Sequence, residues 1–195
     1  MRQYWADIYE NKEETEVLKN QNVDFLVNEC GHYIQEIGGA SRPNGRMDYQ
    51  ILYVASGRVF FDLNGKIWKG ESGSILIYPP HQSQIYFYDK NVTSDVYWIH
   101  FFGTEAEDLL RQLNLLMHGY LPESGLTLWE QIIREMLYKR PNHQMMTKVM
   151  AQQLLIMLSR CRLQTGIKKD KQQELVEAMI DEINKNYFAD FSVEQ

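Results

Sequence analysis

Hydrophobic and polar positions change rhythm once along the chain, near residue 103. Before it, β-branched and aromatic residues come in short runs at 23–29, 32–37, 49–55, 58–63, 74–78, 84–88 and 95–102, bounded by Gly, Pro, Asn or Asp. Such runs predict strands. The pair Asn64-Gly65 between residues 60–63 and 66–68 predicts a tight hairpin, because both central residues of that turn need positive φ. Seven or eight short strands at this spacing predict a sandwich or barrel.

After residue 103 the period becomes helical. Thr104-Glu105-Ala106-Glu107 reads as a capping box, in which a hydroxyl and a carboxylate answer the free amides of a helix start. Leu109, Leu110, Leu113, Leu116 and Met117 share a face, and Gly119 is placed to end the helix. Trp129, Ile132, Ile133, Met136 and Leu137 repeat the spacing before Pro141. From 145 to 163 the pattern is apolar on more than one side, with Met146, Val149, Met150, Leu154, Leu155, Ile156, Met157, Leu158 and Cys161. That helix is expected to be covered either by several elements of its own chain or by a partner chain. Residues 166–171 are polar and charged and read as a hinge. Leu175, Val176, Met179, Ile180, Ile183 and Tyr187 mark one more amphipathic helix, and Ser192-Val193-Glu194-Gln195 is a second capping box. One turn does not nucleate a helix alone, so the chain is expected to be a piece of a longer protein. The fold class is mainly β with C-terminal α. Residues 1–22 stay undecided between a helix and an arm.

Composition narrows the function. The 195 residues carry 20 Lys+Arg against 26 Asp+Glu, a formal net charge of −6. One domain of this size buries roughly 70 % of its unfolded surface and needs no disulfide or metal staple. Net acidity disfavours this stretch as a nucleic-acid binder, since phosphate contacts need clustered Lys and Arg. Cys30 and Cys161 lack CxxC spacing and are expected to be reduced thiols of a cytosolic protein. No run reaches the ~18 apolar residues of a membrane helix. The first seven residues lack the apolar run of a signal peptide, so a cytoplasmic location and no membrane partner are expected. Phosphate-cradling glycine motifs, HExxH and GxSxG are absent, and the five histidines are scattered. No catalytic residue is assigned, and the chain is expected not to be an enzyme.

Gly57, the region of Gly65 and Gly73, and Pro79-Pro80 resemble the cupins, small jelly-roll or double-stranded β-helix barrels. Set against the metal-binding cupin pattern, the Glu position falls on Gln50, the first two His positions on Asn44 and Arg46, and the last His position on Gln84. Amides are poor ligands for transition metals and an Arg cation is worse. The resemblance therefore implies a barrel with no metal ligands and no cofactor.

Three segments in fixed order carry a closer resemblance. They are Asp48-Tyr49-Gln50-Ile51-Leu52-Tyr53-Val54-Ala55-Ser56-Gly57, Gly73-Ser74-Ile75-Leu76-Ile77-Tyr78-Pro79-Pro80 and Tyr97-Trp98-Ile99-His100-Phe101-Phe102-Gly103. Together with Cys30-Gly31 they resemble the N-terminal effector domain of AraC-family transcriptional regulators, Ser74 standing where the family usually has Asp. Residues 183–188 and 191–194 resemble the first helix of that family's DNA-binding domain and the entry to its first helix-turn-helix. The resemblance implies an arm and cupin-like barrel at 1–103, a helical dimerisation and packing region at 104–165, a hinge at 166–171, and a linker and first helix of a DNA-binding domain at 172–195. It also implies a small-molecule effector, a homodimer, and DNA reached only through a double helix-turn-helix unit beyond this chain.

Side chains alternate along a strand. With Gln50 and Gln84 at the old metal positions, parity turns Arg46, Leu52 and Val54 inward with Gln50, and Tyr86 and Tyr88 inward with Gln84. In the last strand the resemblance puts Trp98 and His100 on the pocket face, since the arabinose-sensing member stacks its sugar on a Trp there. The candidate effector site is therefore Arg46, Gln50, Gln84, Tyr86, Tyr88, Trp98 and His100. Aromatic faces with a few convergent hydrogen-bonding groups suit a polar molecule, a sugar for preference. Where the arabinose-sensing member grips its sugar with an Arg, this chain has Ser56, which argues against arabinose itself. Arg46 either meets an anionic ligand or pairs with Glu36 or Asp48, and His100 is either a ligand contact or a structural histidine. The alternatives to a sensor are a metal-dependent cupin enzyme and a stand-alone carbohydrate-binding cupin.

Overall fold

The computed structural model describes residues 2–9, 14–19, 23–35, 37–63, 65–115, 118–120, 125–166, 179, 180, 182 and 183. Their elements in chain order are β1 (Arg2–Asp7), α1 (Glu14–Leu18), β2 (Leu26–Gln35), β3 (Gly39–Arg42), β4 (Tyr49–Ser56), β5 (Arg58–Leu63) and β6 (Lys66–Glu71). There follow β7 (Ser74–Tyr78), β8 (Gln84–Tyr88), β9 (Ser94–Phe102), α2 (Thr104–Gln112), β10 (His118–Tyr120), α3 (Leu126–Tyr138) and α4 (His143–Gly166). Every strand pair is antiparallel. One sheet has the order β1-β2-β9-β4-β7-β10 and the other β3-β8-β5-β6. This is the mainly β fold with C-terminal helices that the hydrophobic pattern predicts, in the jelly-roll form that the cupin resemblance implies.

Parity along the central strands builds two cores. Ile51, Tyr53, Ile75, Ile77, Tyr97, Ile99 and Phe101 pack with Trp129, Ile132, Ile133 and Met136 of α3 and Leu154, Leu155 and Leu158 of α4. Their alternates Leu52, Val54, Leu76, Tyr78, Val96 and Trp98 meet Val59, Phe61, Tyr86 and Tyr88 of the second sheet. The first core fastens the helices to the back of the larger sheet. The second fills the space between the sheets.

Several expectations are corrected. The two strands expected at 23–29 and 32–37 are one, β2, over Leu26–Gln35. Gly31 lies in its middle as the register partner of Trp5 and Trp98. A Cβ there would stand 2.6 Å from Trp98 Cζ2, so this glycine makes room for an indole instead of marking a turn. Part of the undecided N-terminal stretch is β1, paired with β2 from Arg2↔Ile34 to Asp7↔Glu29. Helix α2 is entered through Gly103 at φ 124°, a backbone conformation that favours glycine, so Thr104 is already helical and does not cap. The free amides of Thr104 and Glu105 are answered by the carbonyls of Val23 and Asp24 at 3.2 and 2.8 Å. Helix α2 ends at Gln112, and Gly119 belongs to β10, opposite Ile75. The β5–β6 hairpin closes at Leu63↔Lys66.

Residues 1–162 form one compact unit and 163–195 another. In the second, 163–166 complete α4, and Met179, Ile180, Glu182 and Ile183 are helical. Glu36, Asn64, Leu116, Met117, residues 167–171 of the expected hinge and the rest of 172–195 lie outside the described residues.

Candidate functional site

Register sets a polar row across the larger sheet: Gln50 on β4 stands between Tyr78 on β7 and His100 on β9, and His100 is paired in turn with Glu29 on β2. Two residues along, the corresponding row is Leu76, Leu52, Trp98 and Gly31. The opposite wall is β8, whose Gln84, Tyr86 and Tyr88 are all buried. Arg42 of β3 is the partner of Gln84, and Phe61 of β5 is a partner of Tyr86. The Tyr86 ring spans the interior, its centroid 6.5 Å from Tyr78, 5.9 Å from Phe61 and 6.1 Å from Tyr88. Trp98 lies 5.2 Å from His100 and 5.6 Å from Tyr33.

One end of this interior is organised by Asp48. Gly45, at φ 68°, lets the turn before β4 press on the turn before β8, since a Cβ there would lie 2.3 Å from the Gln82 carbonyl oxygen. His81 N donates to the Arg46 carbonyl at 2.7 Å across the same contact. Asp48, fully buried, accepts from Arg46 Nε at 2.8 Å, Arg46 Nη2 at 3.1 Å, Asn28 Nδ2 at 2.7 Å and His100 Nδ1 at 3.2 Å. A carboxylate has about four acceptor sites, so Asp48 is filled. Burial alone pushes its carboxyl up, but the bonds from His100 and Arg46 and the Arg46 charge hold it well below the ordinary carboxylate range. Burial lowers His100 to about 4 against the opposing pull of Asp48, which leaves the imidazole neutral at physiological pH.

The predicted residues fall into two groups. Gln50, Gln84, Tyr86, Tyr88, Trp98 and His100 all lie in the interior between the sheets, with Tyr88 at the end away from Asp48. Arg46 takes the pairing alternative: besides Asp48 it bonds Glu29 at 3.2 Å. Sequence reasoning left three residues out of the site, Asp48 having been named only as one alternative partner of Arg46. Asp48 sits two positions before Gln50, on the same parity. Tyr78 follows from the β4–β7 register. Arg42 sits on a short strand whose apolar pattern gives no signal.

Polar atoms without partners gather in this interior. They are Arg42 Nη1, Gln50 Oε1, Tyr78 OH, both amide atoms of Gln84 and Trp98 Nε1. Each buried orphan costs roughly 1–3 kcal/mol. Burial raises the Tyr78, Tyr86 and Tyr88 phenols, which keeps them neutral and able both to donate and to accept. Such a lining is matched to a polar guest presenting several oxygens. It does not fit a metal. Arg46 is a committed cation, Gln50 and Gln84 are amides, and Asn44 is exposed in the turn. Among the described residues no three His, Cys, Asp or Glu side chains are grouped to hold an ion.

A family model for the AraC-like ligand binding domain matches residues 26–158, a span that includes every residue of this site. Among solved structures the chain is similar to ToxT from Vibrio cholerae, with 12 % identity over 57 % of this chain and 48 % of that one and a TM-score of 0.43. It is also similar to an apo ToxT variant from Vibrio cholerae strain SCE256, with 10 % identity, 71 % and 55 % coverage and a TM-score of 0.48. The cupin domain of Cnp3 from Schizosaccharomyces pombe matches with 14 % identity, 55 % and 66 % coverage and a TM-score of 0.37. The chain spans about half the length of the ToxT structures it matches. No curated protein matches it.

Proposed function

The chain belongs to the family of AraC-like ligand binding domains, and from that premise we propose that the barrel interior is the effector site of a transcriptional regulator. The observation that carries this reading is the set of unpartnered polar atoms on Arg42, Gln50, Tyr78, Gln84 and Trp98 between the two sheets. Their mixture of donors and acceptors, with the aromatic faces of Trp98, Tyr78 and Tyr86, favours a sugar-like effector. A metal-dependent cupin enzyme needs donors that Arg46, Gln50 and Gln84 do not supply, so the domain senses and does not catalyse.

Effector binding acts as a population shift, favouring one arrangement of the domain over another. The output is control of DNA binding by a double helix-turn-helix unit C-terminal to this domain, in the cytoplasm. The contact between two copies is assigned to α4. Its residues Met145, Met146, Val149 and Ile156 are exposed, whereas Leu109, Leu110 and Leu113 of α2 pack against the helix-side core.

The test is a thermal-shift screen of sugars and organic acids, since a ligand that binds only the folded state raises its Tm. Trp98→Ala and His100→Ala are expected to weaken the best compound at least tenfold with the far-UV circular dichroism unchanged. Unchanged affinity in both variants removes the site assignment.

A further inference from the structure

Arg42 ends β3 opposite Gln84, and Ala40, on the same face of that strand, packs into the interior core. The Arg42 guanidinium is hydrogen-bonded to Tyr86, yet its Nη1 is buried and has no acceptor. Among the described residues no carboxylate pairs with Arg42. Asp48 and Glu29 are both bonded to Arg46. Of these, Asp48 is fully buried and cancels the Arg46 charge, while Glu29 keeps 20 % of its side chain in solvent. His100 is neutral. Among the described residues Arg42 is therefore the cation at this site that no carboxylate answers. Its register partner Gln84 is buried with its amide nitrogen equally unpartnered.

The geometry points to an acidic sugar as the effector, its carboxylate held by Arg42 Nη1 and the Gln84 amide and its hydroxyls by Gln50, Tyr78 and Trp98. This rests on the reading of the interior as the effector site. A charge-assisted bond is about twice as strong as a neutral one, so the unanswered guanidinium is where the site discriminates most. Two open nitrogen donors match the two oxygens of a carboxylate. A phosphate brings a third oxygen and a second charge, for which no other uncommitted cation stands ready among the described residues. The aromatic faces and the paired donors and acceptors along the rest of the wall suit a ring bearing hydroxyls.

The experiment compares matched pairs by calorimetry at fixed ionic strength: glucose with glucuronate, galactose with galacturonate, and mannose with mannuronate. An acid is expected to bind at least tenfold more tightly than its neutral partner. Arg42→Gln is expected to abolish that difference, and Arg42→Lys to keep part of it. Without any added sugar, Arg42→Gln is expected to raise Tm by about 2–4 °C, because it removes a half-buried charge that no carboxylate among the described residues answers. Equal or better binding of the neutral partner, or an acid preference that survives Arg42→Gln, overturns the acidic assignment while the effector site itself stands. No binding by any member of the panel overturns both the acidic assignment and the sugar-like effector. A fall in Tm for Arg42→Gln and Arg42→Lys alike makes Arg42 a structural residue and also overturns the proposal.

Discussion

At neutral pH Asp48 is ionised and can only accept, so the His100 ring must present Nδ1–H to it and keep Nε2 as a bare acceptor. The two residues thus fix a tautomer inside the barrel, and the tautomer has a thermodynamic signature. The unfolded chain takes up a proton at His100 near 6.5, whereas the folded chain refuses it down to about 4. A depressed folded value means stability is whole above about pH 6.5 and declines as pH falls towards 4, by about 3 kcal/mol in all. Asp48 adds its own loss only below its unfolded value of 3.8, so the two windows are separate. The urea midpoint is therefore expected to fall between pH 7 and pH 4.5. His100→Asn, whose amide nitrogen can stand where Nδ1 stands, should be less stable at pH 7 but nearly flat across that range. An equally steep decline in the variant would take His100 out of the account. The family resemblance placed His100 in the interior by choosing between the two apolar faces of the last strand, but it gave no anchor for the ring. Asp48 lies just before β4, where the parity of Gln50 reaches it only if the alternation continues beyond the strand's first residue, and the Gly45 turn pressing on Gln82 accompanies its burial.

Among the elements, the long central strands declared themselves because both of their faces are buried, whereas β1, β3 and β10 did not. Those three are edge strands of six, four and three residues. An edge strand is held by backbone pairing more than by an apolar alternation, so its sequence is silent. Strand β2 misled for a different reason, since a glycine in a strand resembles a break until its neighbour across the sheet is known. Gly31→Ala puts a methyl 2.6 Å from Trp98 Cζ2 and 2.9 Å from Trp5 Cβ. It should cost about 1–3 kcal/mol as an overpacking change and shift the tryptophan emission. An unchanged emission and midpoint would mean the indole does not need that space. Helix α4 concealed its faces because both are apolar. Ala151, Leu154, Leu155 and Leu158 are core, while Met145, at 69 % exposure, and Val149, at 54 %, face outward. The double variant Met145→Glu, Val149→Glu should leave stability within about 0.5 kcal/mol, as changes at exposed sites do, and turn a sedimenting dimer into a monomer. A dimer that persists would move the interface off α4.

For the whole molecule, the two-residue period of a strand separates stability from sensing. Ile51, Tyr53, Ile99 and Phe101 face the helices and hold the domain together, while Gln50, Trp98 and His100 on the same strands face the interior with polar atoms that have no protein partner or are held against a carboxylate. Neighbouring positions should therefore respond in opposite ways. Ile51→Ala removes packing from a fully enclosed site and should cost about 2–4 kcal/mol, with effector affinity of the surviving folded protein close to wild type. Gln50→Leu, one residue away, trades a buried amide for a hydrocarbon of similar size. Its Oε1 has no partner to lose, and the bond it gives up to Tyr86 leaves that phenol still bonded to Arg42, so stability should stay within about 1.5 kcal/mol of wild type, while effector affinity falls at least tenfold. Urea denaturation and calorimetry on the same two variants check both halves. If Gln50→Leu were as damaging to the fold as Ile51→Ala, the interior polar row would be part of the scaffold, and the division of labour between the two faces would be lost. The opposite pattern, a tolerant fold and an impaired site, is what a barrel that gives up some of its own stability for a guest requires.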